Sequence, residues 1–377
     1  MIIGADAKRI LRNTTGLGSY SRTLVNDLAN VMSADDRLLL YAPDKGYDEL
    51  RRQVTVAPAI DYRYPGGALK RILWRSHRMV DDLRRDGVQI YHGLSGELPV
   101  GIRRAGIRSV VTIHDLIFLR HPEYYNKIDV LLYKLKFHLT LREADRIIAI
   151  SECTKRDIMH FGHVEPDRID VIYQACSTRY RQQATQQMLD TVRQRYSLPE
   201  RYILNVGTVE ERKNIMLAAK ALTLLPSDIA LVIVGRQTDY CRQVGDYAHS
   251  HGISNRIVFL HNVGNQDLPA LYQMAQVFVY PSRYEGFGIP IIEAIQSGLP
   301  VVACTGSCLE EAGGPNCLYV SPDDHSAMAH AINTLLGDDR ERNRRIQASR
   351  HYIERFEGND VARQVYDTYH SILDSQG

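Results

Sequence analysis

The chain has 377 residues, 44% of them hydrophobic and 24% charged, with a formal net charge of +2. That length exceeds one ordinary core and predicts two domains of roughly 150 to 200 residues each, and the balanced composition excludes a disordered chain. The excess of Lys and Arg falls in residues 1–175, too little to imply nucleic acid but compatible with an anionic ligand or surface against the first half. The six cysteines form no CxxC pair and read as reduced thiols packed as small apolar groups. Neither a leader nor an apolar run of ~20 residues is visible, so a cytoplasmic location, or the inner face of a membrane, is expected.

Short apolar runs alternate with amphipathic stretches, as parallel sheets wrapped by helices require. The first is Met1–Ala5, followed by a loop, Gly16-Leu17-Gly18, and a helical pattern over Ser19–Val31. Two glycines before a helix suit a turn that approaches a phosphate. Dinucleotide binding would want G-x-G-x-x-G directly after the strand; here the loop is long and Ser21 holds the last position, which counts against a nicotinamide-dependent oxidoreductase. Further strands are predicted at Leu38–Ala42, Val88–His92, Val110–His114, Arg146–Ile150 and Ile169–Tyr173.

Among these, Leu69–Arg85 places Leu69, Ile72, Leu73, Met79, Val80 and Leu83 on one helical stripe, with Trp74 on the opposite face among Lys70, Arg71, His77 and Arg78. An aromatic ring amid cations is expected to meet an anionic membrane surface. His114 closes its strand at the carboxyl edge of the sheet and is followed by Asp115; from position alone it reads as readily as a core or capping histidine as a functional one. The segment Tyr124–His138 mixes Tyr124, Tyr125, Lys127, Lys134 and Lys136 and is expected beside an acceptor opening.

The polar, Gln-rich stretch Ser177–Glu200 marks a junction, giving domains at 1–178 and 179–355 and a final amphipathic helix within 356–377. Second-half strands are predicted at Tyr202–Val206, Ala230–Val234, Ile257–Leu260, Val277–Tyr280, Leu299–Ala303 and Cys317–Val320. The predicted fold class is therefore α/β, two Rossmann-like domains with parallel sheets and a cleft between them, and the loops after the strands are where chemistry belongs. In Val277-Phe-Val-Tyr-Pro-Ser-Arg-Tyr-Glu285-Gly-Phe-Gly-Ile-Pro290-Ile-Ile-Glu293, a strand ends at Pro281 and Pro290 suits the start of a helix. Gly286, Phe287 and Gly288 then lie at a helix N-terminus, where backbone N–H groups favour a diphosphate or sugar hydroxyls. Glu285 and Glu293 flank that corner and would accept from hydroxyl groups.

With its flanks, this segment resembles the E-x7-E signature of family 4 of the retaining glycosyltransferases. The resemblance covers nearly the whole chain: Thr14-Thr-Gly16-Leu-Gly18-Ser-Tyr-Ser, Thr112-Ile-His114-Asp115, Ala149 to Asp157, and Val206-Gly-Thr-Val-Glu-Glu-Arg212-Lys213-Asn214. It implies a GT-B fold and transfer, with retention, of a sugar from a nucleotide diphosphate to an acceptor hydroxyl on a glycan or lipid-linked glycan. It also implies that Glu285 and the backbone of Gly286, Phe287, Gly288 and Ile289 hold the donor sugar, and that Glu293 takes the ribose hydroxyls. Arg212 and Lys213 would clamp the diphosphate, because a departing nucleoside diphosphate develops charge that fixed cations stabilise.

Thr208 stands where many family members carry Arg, so one phosphate contact is missing or comes from Arg212. Gly16 and Gly18 would lie at the substrate, and His114 would touch the donor sugar across the cleft. Similarity to mannosyltransferases of surface-polysaccharide synthesis favours GDP-mannose. No cofactor or metal is expected: no Asp-x-Asp follows an apolar strand, and Asp81-Asp82 and Asp323-Asp324 sit in polar settings. The final helix, Asn359–Leu373, is expected to return to the first domain. A sugar-nucleotide epimerase of the same fold and a non-catalytic sugar-nucleotide-binding protein are the alternatives.

Overall fold

The computed structural model describes residues 1–55, 59–65, 74, 78–356 and 358–374. It divides into two compact units, Met1–Ala175 with Phe356–Gly377, and Cys176–Arg355.

The first unit is built on seven parallel strands, β1 (Ile2–Asp6), β2 (Arg37–Tyr41), β3 (Ile60–Arg63), β4 (Ile90–Gly93), β5 (Arg108–Ile113), β6 (Arg146–Ala149) and β7 (Ile169–Val171). Their order is β3-β2-β1-β4-β5-β6-β7, so the order reverses between β1 and β4, where Ile3 pairs with Ile90. Most of these strands are buried and mainly apolar along their centres, as helices covering both faces require. β3 is the exception and escapes a sequence reading: it is an edge strand of alternating charge, Ile-Asp-Tyr-Arg, and is only half-buried. The helix Gly358–Asp374 is part of this unit, with Val361, Ala362, Val365, Tyr369 and Ile372 packed among Ile3, Leu24, Val25 and Leu28.

The second unit carries β8 (Tyr202–Val206), β9 (Ala230–Val234), β10 (Ile257–Leu260), β11 (Val277–Tyr280), β12 (Val301–Cys304) and β13 (Leu318–Val320). Their order, β10-β9-β8-β11-β12-β13, reverses between β8 and β11. Strands β8 and β11 are thus direct neighbours, Val277 opposite Ile203, although β9 and β10 intervene in sequence. All six cysteines are free and buried.

Two expectations change. Trp74 does not project into solvent: it is 2% exposed, its Nε1 donates to Asp82 Oδ2 at 2.6 Å, and it packs with Leu39, Tyr41, Met79 and Leu83. Apolar burial of the indole with its one donor satisfied outweighs the amphipathic pattern, so Trp74 supplies no membrane contact. Leu69, Lys70, Arg71, Ile72, Leu73 and His77 lie outside the described residues. The helix predicted to follow Gly18 instead starts at Gly16 and runs to Val31, which puts both glycines inside it rather than in a turn. A Cβ on Gly18 would fall 1.9 Å from the carbonyl oxygen of Asn13, so close backbone packing accounts for that glycine, and its N–H donates to Asn13 Oδ1 at 3.1 Å.

Candidate active site

In the second unit the chemistry gathers where the strand order reverses, the place at which open parallel sheets bind ligands. After β8 the chain passes Gly207 and the half-buried Thr208 and forms a short turn at Glu211–Lys213. Asn214 ends it in the left-handed region, φ +54°, which Asn tolerates, and its buried amide donates to the carbonyls of Pro281 (3.2 Å) and Pro322 (2.8 Å). That clasp ties the β8 turn to the loop after β11. Arg212 Nη1 reaches Glu285 Oε2 at 3.0 Å and the Tyr284 carbonyl at 2.5 Å, while its Nη2 pairs with Glu210 at 2.6 Å. Lys213 Nζ reaches Glu285 Oε1 at 2.5 Å and the Tyr280 hydroxyl at 2.8 Å.

Burial alone would push the Glu285 carboxyl up, but Lys213 and then Arg212 overcome it and hold it at about 2. Burial likewise disfavours the Lys213 ammonium, and the Glu285 charge more than restores it. Tyr280, buried beside Glu285, is pushed up to about 12. The three ions are therefore fixed in their charged forms at neutral pH.

From Glu285 the loop runs to the helix Ile289–Gln296, with Gly288 as its N-cap at φ +148°. A Cβ there would meet Ala312 Cβ at 2.9 Å, so both conformation and space demand glycine. Phe287 is buried, and the Cys308 thiol donates to the carbonyls of Phe287 (2.5 Å) and Glu285 (3.1 Å), clamping the loop from beneath. Ile289 opens the helix with Pro290 second, so Glu293 falls in the second turn. It is not a dipole complement. Tyr272 donates to its Oε2 at 2.9 Å, and Tyr180 also bonds to it. Burial raises the Glu293 carboxyl and the two phenols oppose that rise.

The first unit has its own corner at the carboxyl ends of β1, β4 and β5. A cavity of about 240 Å³ there is lined by, among others, Arg9, Ser95, Glu97, His114, Asp115 and Lys136. His114 is 9% exposed and bonded at both ring nitrogens, Nε2 to the Leu94 carbonyl at 2.8 Å and Nδ1 to the Gln174 amide at 2.9 Å. A carbonyl only accepts, so Nε2 carries the proton and Nδ1 accepts from Gln174. Burial lowers the imidazole to about 4, leaving it neutral at pH 7. Below it His92, lowered by burial to about 3, bonds Thr112 (2.8 Å) and the Tyr369 hydroxyl (2.7 Å).

Of the residues singled out by sequence, the structure brings Arg212, Lys213 and Glu285 into mutual contact and sets Gly286, Phe287, Gly288 and Ile289 on the loop that continues from Glu285. Glu293 lies on the helix behind them. Gly16 and Gly18 belong to a helix of the first unit, where His114 lines the cavity. Sequence reading gave no role to Tyr272, Tyr180, Cys308 or Gln174, whose partners are far away in the chain; Asn214 stood in the motif, and its tolerance of positive φ is the one signal that marked it.

Comparisons with known proteins agree with this architecture. Residues 190–352 match the model for glycosyl transferases group 1, and residues 14–179 match that for Glycosyltransferase Family 4. The chain is 31% identical to the O-antigen chain mannosyltransferase B of Escherichia coli over 86% of its own length and 88% of that protein. It is 28% identical to the O-antigen chain mannosyltransferase RfbU of Salmonella typhimurium, over 60% of each. The crystal structure of HepE from Anabaena, in complex with UDP and glucose, superimposes with a TM-score of 0.77 at 18% identity, covering 98% of this chain and 100% of that one. Two Rossmann-like units with these strand orders make a GT-B fold, and the protein is a glycosyltransferase. The chain belongs to glycosyltransferase family 4.

Proposed function

We propose that this glycosyltransferase moves mannose from GDP-mannose, with retention and without a metal ion, to a hydroxyl of a lipid-linked surface glycan at the cytoplasmic side of a membrane. The observation that carries the reading is the Arg212–Glu285–Lys213 cluster at the β8/β11 reversal, beside the N-terminus of the helix Ile289–Gln296. The two relatives named as O-antigen mannosyltransferases support the choice of sugar and product class.

In this reading Arg212 and Lys213, already oriented and desolvated, meet the diphosphate and stabilise the charge that develops as it departs. Thr208 and the backbone of Gly286 to Ile289 complete the phosphate and sugar contacts. Glu285 accepts from hydroxyls of the mannose and Glu293 from those of the ribose. The bond from the sugar's anomeric carbon to the β-phosphate oxygen breaks while the acceptor oxygen bonds to the same face. The acceptor proton passes to the departing phosphate, because His114 is neutral with its Nδ1 lone pair engaged by Gln174 and serves to position rather than to deprotonate. Glycan hydroxyls find partners in Ser95, Glu97 and Asp115 of the His114 cavity.

The test is product analysis by NMR after incubation with GDP-mannose, with and without a lipid-linked glycan. The reading predicts an α-mannosyl product that requires acceptor and forms in the presence of EDTA. An inverted product, preference for a UDP-sugar, or a requirement for divalent cation would each remove its part of the proposal. Conversion of the nucleotide sugar to an epimer without acceptor would replace it.

A further inference from the structure

The helix Lys127–Glu143 has two apolar faces, one more than a helix packed on a core needs. Phe137, Thr140 and Leu141 are buried against the first unit, with Phe137 and Leu141 in a cluster with Val111 and Ile158. On the far side Ile128, Leu131, Leu132 and Leu135 are 69%, 68%, 50% and 57% exposed. At 100° per residue those four occupy a stripe about 100° wide, opposite the buried face. Exposed Lys127 and Lys134 flank one edge and Arg142 extends the stripe by two turns, while the other edge carries exposed Asp129 and Lys136, whose Nζ is paired with Glu97 at 3.1 Å. Asp129 and Glu143 are the acidic groups of the helix, and Glu143 Oε2 accepts from the Arg103 backbone N–H. Beyond its C-terminal end an open cavity of about 760 Å³ is lined by Arg103, Arg104, Arg142, Arg168, His138 and His163, with Glu143 the acidic residue of that lining.

We infer that this face docks on an anionic lipid bilayer, the aliphatic stripe entering the headgroup boundary and the cations meeting lipid phosphates. Four exposed branched aliphatics edged by Lys127 and Lys134 and continued by Arg142 complement a surface that is apolar beneath and negative above. A second copy of the chain is the poorer occupant, since a two-fold interface would set the same lysines against one another. Tyr133, Lys136 and Phe137 of this helix also line the His114 cavity, so a bilayer on the stripe lies beside that cavity's wall. Delivery of a lipid-linked acceptor there rests on the transferase reading above; the docking itself does not.

The experiment is flotation of the full chain, without sugar nucleotide, with vesicles of phosphatidylcholine and phosphatidylglycerol or of phosphatidylcholine alone. Wild type floats with the mixed vesicles and not with the neutral ones. Leu131→Gln with Leu135→Gln weakens binding on the order of tenfold or more, with an unchanged thermal melt because both positions are exposed. Lys127→Gln with Lys134→Gln also weakens it and flattens its salt dependence, which decides the matter should the first variant fold poorly. Equal flotation of both variants and wild type, no flotation of wild type, or a lipid-free dimer that Leu131→Gln with Leu135→Gln dissolves would each overturn the inference. GDP-induced stabilisation, measured on the same samples, reports separately on the transferase reading.

Discussion

The two units share one topology and use its reversal point in opposite ways. At the β8/β11 reversal three ions are buried in contact, and their mutual field outweighs desolvation, keeping Glu285 charged down to a pH of about 2. At the corresponding corner of the first unit two histidines are buried without a carboxylate partner, and desolvation wins, keeping both neutral. The same sheet edge thus carries a fixed ion cluster in one case and a neutral histidine pair in the other, beside a cavity that Arg9, Glu97, Asp115 and Lys136 also line. What decides is whether an opposite charge lies within ~4–6 Å to offset burial. Fixed cations suit a nucleoside diphosphate, and a neutral imidazole among polar groups suits hydroxyls.

The sharpest way to break this contrast is Lys213→Ala. Turnover should fall by roughly 10² to 10³, and the second unit should lose about 3 kcal/mol or more because Glu285 keeps only one cation. Steady-state kinetics and urea melts would reveal it, and wild-type values in both would mean the array is decorative. Trp74→Ala tests the other unit: loss of the buried indole should cost about 3–5 kcal/mol, against a smaller loss, roughly 1–3 kcal/mol, for Trp74→Phe, which keeps an aromatic ring but gives up the bond to Asp82 and part of the indole's volume. An unchanged melt for Trp74→Ala would restore a surface position for that ring.

Acid should separate the units. His92 and His114 have folded values near 3 and 4 against an ordinary 6.5, so the unfolded chain binds their protons first. Their contribution is intact above pH 6.5 and is lost as pH falls toward 4, on the order of 3 kcal/mol for His114 alone. Glu285 contributes fully above its ordinary 4.5 and loses that only between 4.5 and about 2. Stability measured from pH 7 to 4 should therefore drop first in the first unit, and His92→Gln should shallow the slope. The smallest effect belongs to Glu293→Gln, which keeps an acceptor for Tyr272: donor KM should rise about tenfold or less, with kcat nearly unchanged. A collapse of kcat would give Glu293 a part in the chemical step.

Much of the fold was legible because parallel strands buried on both faces are apolar along their whole length, as Ala230–Val234 and Val277–Tyr280 are. β3 was not, since an edge strand carries charges that read as loop. Around the site, the spacing of Glu285 and Glu293 and the Arg212-Lys213-Asn214 run were visible, but the contact between them comes from β8 lying beside β11, a fact of sheet order. Trp74 misled because helical periodicity ranks a face by its neighbours in sequence, whereas Leu39 and Tyr41, among which the indole packs, come from β2; Asp82, which takes its N–H, was near in sequence but read as part of a solvated face. The tyrosines around Glu293 were hidden for the same reason: Tyr180 and Tyr272 look like core aromatics until the helix Ile289–Gln296 brings a carboxylate between them.

In the proposed donor site Lys213 and Arg212 receive phosphates while Glu285 receives sugar hydroxyls. Calorimetric titration of GDP and of GDP-mannose into wild type, Lys213→Ala and Glu285→Ala addresses it directly. Lys213→Ala should weaken both ligands by tenfold or more, on the order of 1.4 kcal/mol, whereas Glu285→Ala should weaken GDP-mannose yet leave GDP bound as tightly or more so, its cations relieved of a competing carboxylate. Wild-type affinity for both ligands in Lys213→Ala, or an equal loss of GDP and GDP-mannose in Glu285→Ala, would contradict it.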